Sequence, residues 1–130
     1  MCRHLSRLAR FVWATALVLY PLYLTAQGTD YANLSASEAA RLIREGKINC
    51  RDLVTALLAR IDAGQDLRAF ITVNREGALK AAAAADDARS QGISLPALHG
   101  VPIVIKDNIH VASLPNTAGT PALRNFVPNQ

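Results

Sequence analysis

Lys106 is the residue of this chain whose type and setting could do chemistry. It stands at the end of the apolar run Val101-Pro102-Ile103-Val104-Ile105 and opens the turn-forming Lys106-Asp107-Asn108. Layered α/β proteins place reactive groups where a strand end feeds a loop. A lysine there is either a solvated turn residue or, once apolar surroundings strip its proton, a general base. An unperturbed lysine is neutral about once in 2,500 at pH 7, and each unit of pKa lowering by burial raises that share roughly tenfold. Asp107 would oppose such lowering if it lay alongside, but consecutive strand residues point to opposite faces. The residues alone leave both readings open, and the solvated turn is the commoner one.

The other reactive side chains have plainer roles. Ser6, Ser35, Ser37, Ser90, Ser94 and Ser113 lie in no Gly/Ser-rich block, and no Gly-x-Ser-x-Gly is present. His4, His99 and His110 form no His-Glu-x-x-His frame, so no metal site is expected. His99 is expected to order the loop before the apolar run. Cys2 lies near the N-terminus, which leaves Cys50 at a predicted helix start, suited to packing or capping.

The elements that must position Lys106 follow from local signals. Ser35-Ala36-Ser37-Glu38 is a capping box, Ala39, Leu42 and Ile43 make an apolar stripe, and Gly46 stops the helix. A second helix starts near Asn49 or Cys50; Leu53, Val54, Leu57, Leu58 and Ile61 recur at helical spacing as far as Gly64. Asn74 caps a third, through Leu79 and the alanines 81–85 to about Gln91 and Gly92. Residues 69–73, Ala-Phe-Ile-Thr-Val, and residues 101–105 read as strands. The second is apolar on both faces, as in a strand covered above and below. Such a strand wants a neighbour on each edge, and the chain offers one candidate. The sheet is therefore expected to be incomplete and its apolar edges prone to association.

Charge points to no nucleic-acid partner. Of 14 Lys and Arg, three (Arg3, Arg7 and Arg10) lie in the first ten residues, leaving 11 against 10 acids and no clustered basic face. Those arginines precede an uncharged, mostly apolar stretch over 11–24 and the small, polar Thr25-Ala26-Gln27-Gly28. This is the order of a secretory signal peptide. The stretch is shorter than the roughly 20 residues that span a bilayer. A signal over 1–28 is expected, with export to the periplasm or beyond. The alternative is an uncleaved leader, the one route by which this chain would meet a membrane.

The block Leu98-His99-Gly100-Val101-Pro102-Ile103-Val104-Ile105-Lys106-Asp107-Asn108-Ile109 resembles the Leu-His-Gly-x-Pro…Lys-Asp-Asn block of the amidase signature family. Asn116-Thr117-Ala118-Gly119-Thr120 is similar to that family's Thr-Thr-Ala-Gly-Ser loop, with Asn116 and Thr120 as departures. The likeness extends upstream through Ala69-Phe70-Ile71 and Leu53-Val54, and covers about residues 34–128. Cys50 stands where such proteins usually carry Ser or Thr. The wording from Leu114 to Leu123 looks most like members acting on arylacetamides, such as indoleacetamide hydrolases.

The resemblance implies an α/β fold in which this chain supplies N-terminal helices and the first strands of a mixed sheet, with residues 29–130 as a truncated N-terminal portion of the domain. It implies a serine that attacks the amide carbonyl, a second serine held by a cis peptide that relays the proton, and Lys106 as the ultimate base. Backbone N–H groups stabilise the oxyanion, and water then hydrolyses the acyl-enzyme. The implied substrate of the complete enzyme is a small-molecule amide, and no cofactor is implied. Both serines belong to a downstream block absent from these 130 residues, so the chain is expected to be inactive alone. One alternative is a short non-catalytic relative that pairs with another chain. Another is a subunit of the amidotransferases that amidate charged transfer RNA, against which an export leader argues.

Overall fold

The computed structural model describes residues 30–129. The leader expected over 1–28 lies outside them. Three α-helices frame the unit that begins at Tyr31: α1 (Ala36–Arg44), α2 (Cys50–Ala63) and α3 (Arg75–Ser90). Short 3₁₀ turns occupy Tyr31–Asn33, Gln65–Leu67 and Pro121–Leu123. Among the described residues no helix is long and apolar enough to cross a membrane.

The helices begin and end where local chemistry sets them. Ser35 Oγ accepts from the Glu38 N–H at 3.2 Å and starts α1. The reciprocal half of the capping box is replaced: Glu38 instead accepts from Arg41 at 2.6 Å, and Arg41 also donates to Glu45. These pairs are exposed, so solvent screens them and they add little to stability. Asn74 Oδ1 accepts from the Gly77 N–H at 3.1 Å and starts α3. Gly46 and Gly92, both at φ +68, end α1 and α3 in the left-handed conformation that glycine adopts freely.

α2 is started by a residue far away in sequence. Asn49 makes no side-chain cap bond. Asp86 on α3 caps the helix instead, accepting from the Cys50 N–H at 2.9 Å and the Arg51 N–H at 3.1 Å. Arg89, one turn on, donates to Asn49 Oδ1 at 3.0 Å and fixes the approach. Burial pushes the Asp86 carboxyl up, but the N–H donors of Cys50 and Arg51, the Cys50 thiol and Arg89 outweigh it and hold it below its ordinary value. A depressed folded-state pKa means that this stabilisation is present above the unfolded carboxyl's value, about 3.9, and is lost as pH falls through the folded one. Asp86→Ala is expected to cost about 1 kcal/mol at neutral pH, as for other lost N-caps. Urea unfolding followed by far-UV circular dichroism measures it, and the difference from the parent should shrink below about pH 4. An unchanged midpoint at pH 7 would remove Asp86 from the cap.

The core lies between the three helices. Ala39 and Ile43 of α1, Ile48 after it, Cys50, Leu53, Val54 and Leu58 of α2, and Ala82 of α3 form one buried cluster. Tyr31, Leu34, Leu79, Ala85 and Val101 pack on its margin. Among the described residues, Ile43 and Cys50 are the largest fully buried side chains. The alanines of α3 allow close approach to α2 but bury little area each.

The two expected strands require a correction. Among the described residues no strand forms: 69–73 and 101–105 run without a ladder. A strand exists through the hydrogen bonds of a neighbour, and neither segment has one here. Val101 packs on the core, but most of the other apolar side chains are exposed, with Ile71 at 62 %, Ile103 at 75 % and Val104 at 76 %. The described chain forms a small helical body from which an unpaired apolar segment leaves at Val101.

Candidate functional site

Two contacts dock the start of that segment on the helices. His99 Nε2 pairs with the Ala85 carbonyl of α3 at 2.8 Å, the loop-ordering role expected of it. Gly100, at φ +73, lies so close to the start of α2 that an added Cβ would overlap Cys50 Sγ. Cys50 is fully buried there, and burial first, then the Asp86 carboxylate beside it, pushes its thiol up to about 11. Such a thiol carries almost no thiolate at neutral pH. Cys50 is a packing residue.

Lys106 lies five residues beyond Val101 and is exposed. Its side chain forms no ion pair with a described residue, and its carbonyl accepts from the Ile109 N–H at 2.9 Å, closing the Lys106-Asp107-Asn108 turn. The chain then doubles back. Ser113 N–H donates to the Pro128 carbonyl at 2.9 Å and Asn116 N–H to the Phe126 carbonyl at 3.0 Å. His110 leans on the ring of Phe126, with centroids 5.4 Å apart. Thr120 Oγ1 caps the Pro121–Leu123 turn by accepting from the Ala122 N–H at 3.3 Å.

Asp107 joins the two motif blocks. Its two carboxylate oxygens accept from the Thr117 N–H at 3.1 Å each, and Oδ2 also takes the Thr117 hydroxyl and, at 3.4 Å, the Gly119 N–H. The Asp107 carbonyl accepts from the Ala118 N–H at 3.0 Å. The Thr117 hydroxyl, then the Thr117 and Gly119 N–H groups, hold the carboxyl below its ordinary value. A strand at 101–105 would put Asp107 on the face opposite Lys106; here Asp107 belongs to a turn, and its charge is taken up by the facing loop. Asn116 is buried, at 3 % exposure, inside the same loop.

The motif points to the lysine and leaves its neighbours unread. The Asp107–Thr117 clasp spans ten positions and depends on left-handed Ala118 (φ 47) and Gly119 (φ 69). An Ala-Gly pair after a hydroxyl residue is the signal that could have suggested it. A crevice of about 300 Å³ lies elsewhere, lined by Asn49, Arg51, Asp52, Ala83, Asp86 and Asp87. Those are the residues around the α2 cap, and none comes from the 98–120 motif.

Comparison with known proteins settles the relationship. The Amidase family model matches residues 52–130. The chain belongs to the amidase family. Over 105 residues it is 45 % identical to mandelamide hydrolase of Pseudomonas putida, covering 81 % of this chain and 21 % of that protein. It is 42 % identical over 101 residues to a glutamyl-tRNA(Gln) amidotransferase subunit of Chloroflexus aurantiacus, and 41 % identical over 101 residues to its counterpart from Salinispora arenicola. Each of these alignments covers 77 % of this chain and 21 % of the relative. The amidase-family chain thus spans about a fifth of the length of the curated relatives it matches.

Proposed function

We propose that this chain is the lysine-bearing N-terminal part of a serine amidase that hydrolyses small-molecule amides, with Lys106 as the base. The observation that carries this is the Asp107 clasp, which brings the Lys106-Asp107-Asn108 turn and the Asn116–Thr120 loop together within the matched region. A base must lose its proton before it can accept one, and for a lysine burial drives that loss. Lys106 is exposed here, and the apolar Ile103, Val104 and Ile105 leading to it are exposed as well. In the complete enzyme, neighbouring strands pair with 101–105, cover those side chains and desolvate Lys106. One serine then attacks the amide carbonyl while its proton passes through the second serine to Lys106. The proton returns to the leaving amine, and water repeats the cycle on the acyl-enzyme.

The substrate class that fits is an aryl-substituted acetamide. The wording from Leu114 to Leu123 supports it, as does 45 % identity to a hydrolase of mandelamide, itself an arylacetamide. The test is a hybrid in which residues 31–129 replace the matching stretch of the Pseudomonas putida enzyme. The hybrid is expected to hydrolyse mandelamide and phenylacetamide. The 130-residue chain alone is expected to show no turnover above its Lys106→Ala control, since no acyl-enzyme forms without the serines. Turnover by the chain alone above that control would sink the need for a separate serine block.

Export by the first 28 residues belongs to the same proposal. Fused to a reporter active only outside the cytoplasm, that leader should give signal, and mass spectrometry should place the new N-terminus near Thr29. A soluble cytoplasmic product with Met1 intact would end the export reading.

A further inference from the structure

The loop beyond Lys106 closes on a carboxylate in an unusual way for so short a stretch. The N–H groups of Thr117, Ala118 and Gly119 all end on one residue, the first and third on the Asp107 carboxylate and the second on its carbonyl. Successive main-chain donors converge like this in a tight turn, and here the turn includes left-handed Ala118 and Gly119. Such a turn offers its N–H groups to an anion, and here the Asp107 carboxylate takes those of Thr117 and Gly119. The Thr117 hydroxyl adds a further donor to the same oxygen. Ala118 carries a Cβ, so its φ of 47 persists only because these bonds hold it.

One peptide bond separates this knot from Lys106. The Lys106 carbonyl is itself held by the Ile109 N–H at 2.9 Å, so the main chain is fixed on the C-terminal side of the lysine. On the other side, 103–105 is exposed and forms no ladder among the described residues. Among the described residues, the hydrogen bonds that fix the backbone beside Lys106 therefore lie on its Asp107 side. We propose that Asp107 is a positioning residue, whose carboxylate locks the 116–120 loop and thereby aims Lys106. This rests on the reading of Lys106 as the base. A base works within about 2.6–3.2 Å of the proton it takes, and a misplacement of about 1 Å costs on the order of 10²-fold in rate.

Asp107→Asn tests it without changing size, because one acceptor oxygen becomes an NH₂ group that cannot accept from Thr117. The first measurement is amide hydrogen exchange in the full 130-residue chain, read on peptides covering 114–123. Asp107→Asn is expected to speed exchange there by about tenfold or more, leaving peptides of α1 to α3 unchanged. The second is turnover by the hybrid enzyme, per folded active site. Asp107→Asn should lower kcat on the order of 10²-fold with KM within about twofold. Thr117→Val should also lower kcat, and Thr117→Ser, which keeps the hydroxyl, should restore it. Unchanged loop exchange in Asp107→Asn would overturn the clasp and the proposal with it. Faster exchange with undiminished kcat, beside an inactive Lys106→Ala hybrid, would overturn the positioning role alone and leave the amidase reading standing. Undiminished kcat in Lys106→Ala would remove the base, and so both.

Discussion

Lys106→Ala in the hybrid enzyme is expected to lower kcat by about 10² to 10⁴-fold and to leave KM within about twofold. The split comes from the role proposed for the side chain. A base that takes the relayed serine proton acts only once bond formation has begun, so its loss removes transition-state assistance and leaves substrate binding intact. Lys80→Ala is the control, because Lys80 sits on the exposed face of α3, outside the motif; its kcat should match the parent. A lysine that served only to solvate a turn would behave like Lys80. Near-normal kcat in Lys106→Ala would return Lys106 to that plain role. A raised KM with normal kcat would make it a substrate contact instead.

The turn that carries Lys106 could be read because its residues are consecutive in sequence, whereas Thr117, which binds Asp107 in that turn, lies ten positions away. The limits of α1 and α3 could be read for the same reason: Ser35, Gly46, Asn74 and Gly92 act on residues within a turn of themselves. The start of α2 could be placed but its cause could not. The local spacing marks a start near Asn49 or Cys50, yet the cap comes from Asp86, 36 positions after Cys50. The Asp107 clasp has the same character on a smaller scale, since a left-handed Ala118 is set by the bonds it serves and by no preference of alanine. For 101–105 the pattern was informative and the inference went too far. A run of β-branched residues states what a segment can pair with. The ladder also requires the neighbour, and the described residues do not provide one.

Gly100→Ala is expected to be the most destabilising small substitution in the described chain. Two independent penalties meet at this position. At φ +73 any residue with a Cβ is strained by roughly 1–2 kcal/mol. The new methyl would also overlap Cys50 Sγ and lie 3.3 Å from Cys50 Cβ and 3.6 Å from Ala85 Cβ. Cys50 is fully buried at the start of α2, with its N–H tied to Asp86, so it cannot simply swing away. Overpacking of this kind costs about 1–3 kcal/mol, and the two together give about 2–5 kcal/mol. A core with so few fully buried large side chains has little reserve against that loss. Urea unfolding followed by far-UV circular dichroism measures it, and adding Cys50→Ala separates the two penalties. Removing Sγ relieves the overlap and leaves the backbone strain, so Gly100→Ala/Cys50→Ala should be more stable than the sum of the single changes by about 1 kcal/mol or more. Additivity of the two changes would mean that Sγ and the new methyl do not meet. A Gly100→Ala midpoint close to the parent's would mean that the loop carrying His99 and Gly100 does not pack on α2. In that case the helical body would have no hold on the segment that leads to Lys106, and the rest of the enzyme would have to place that segment by itself.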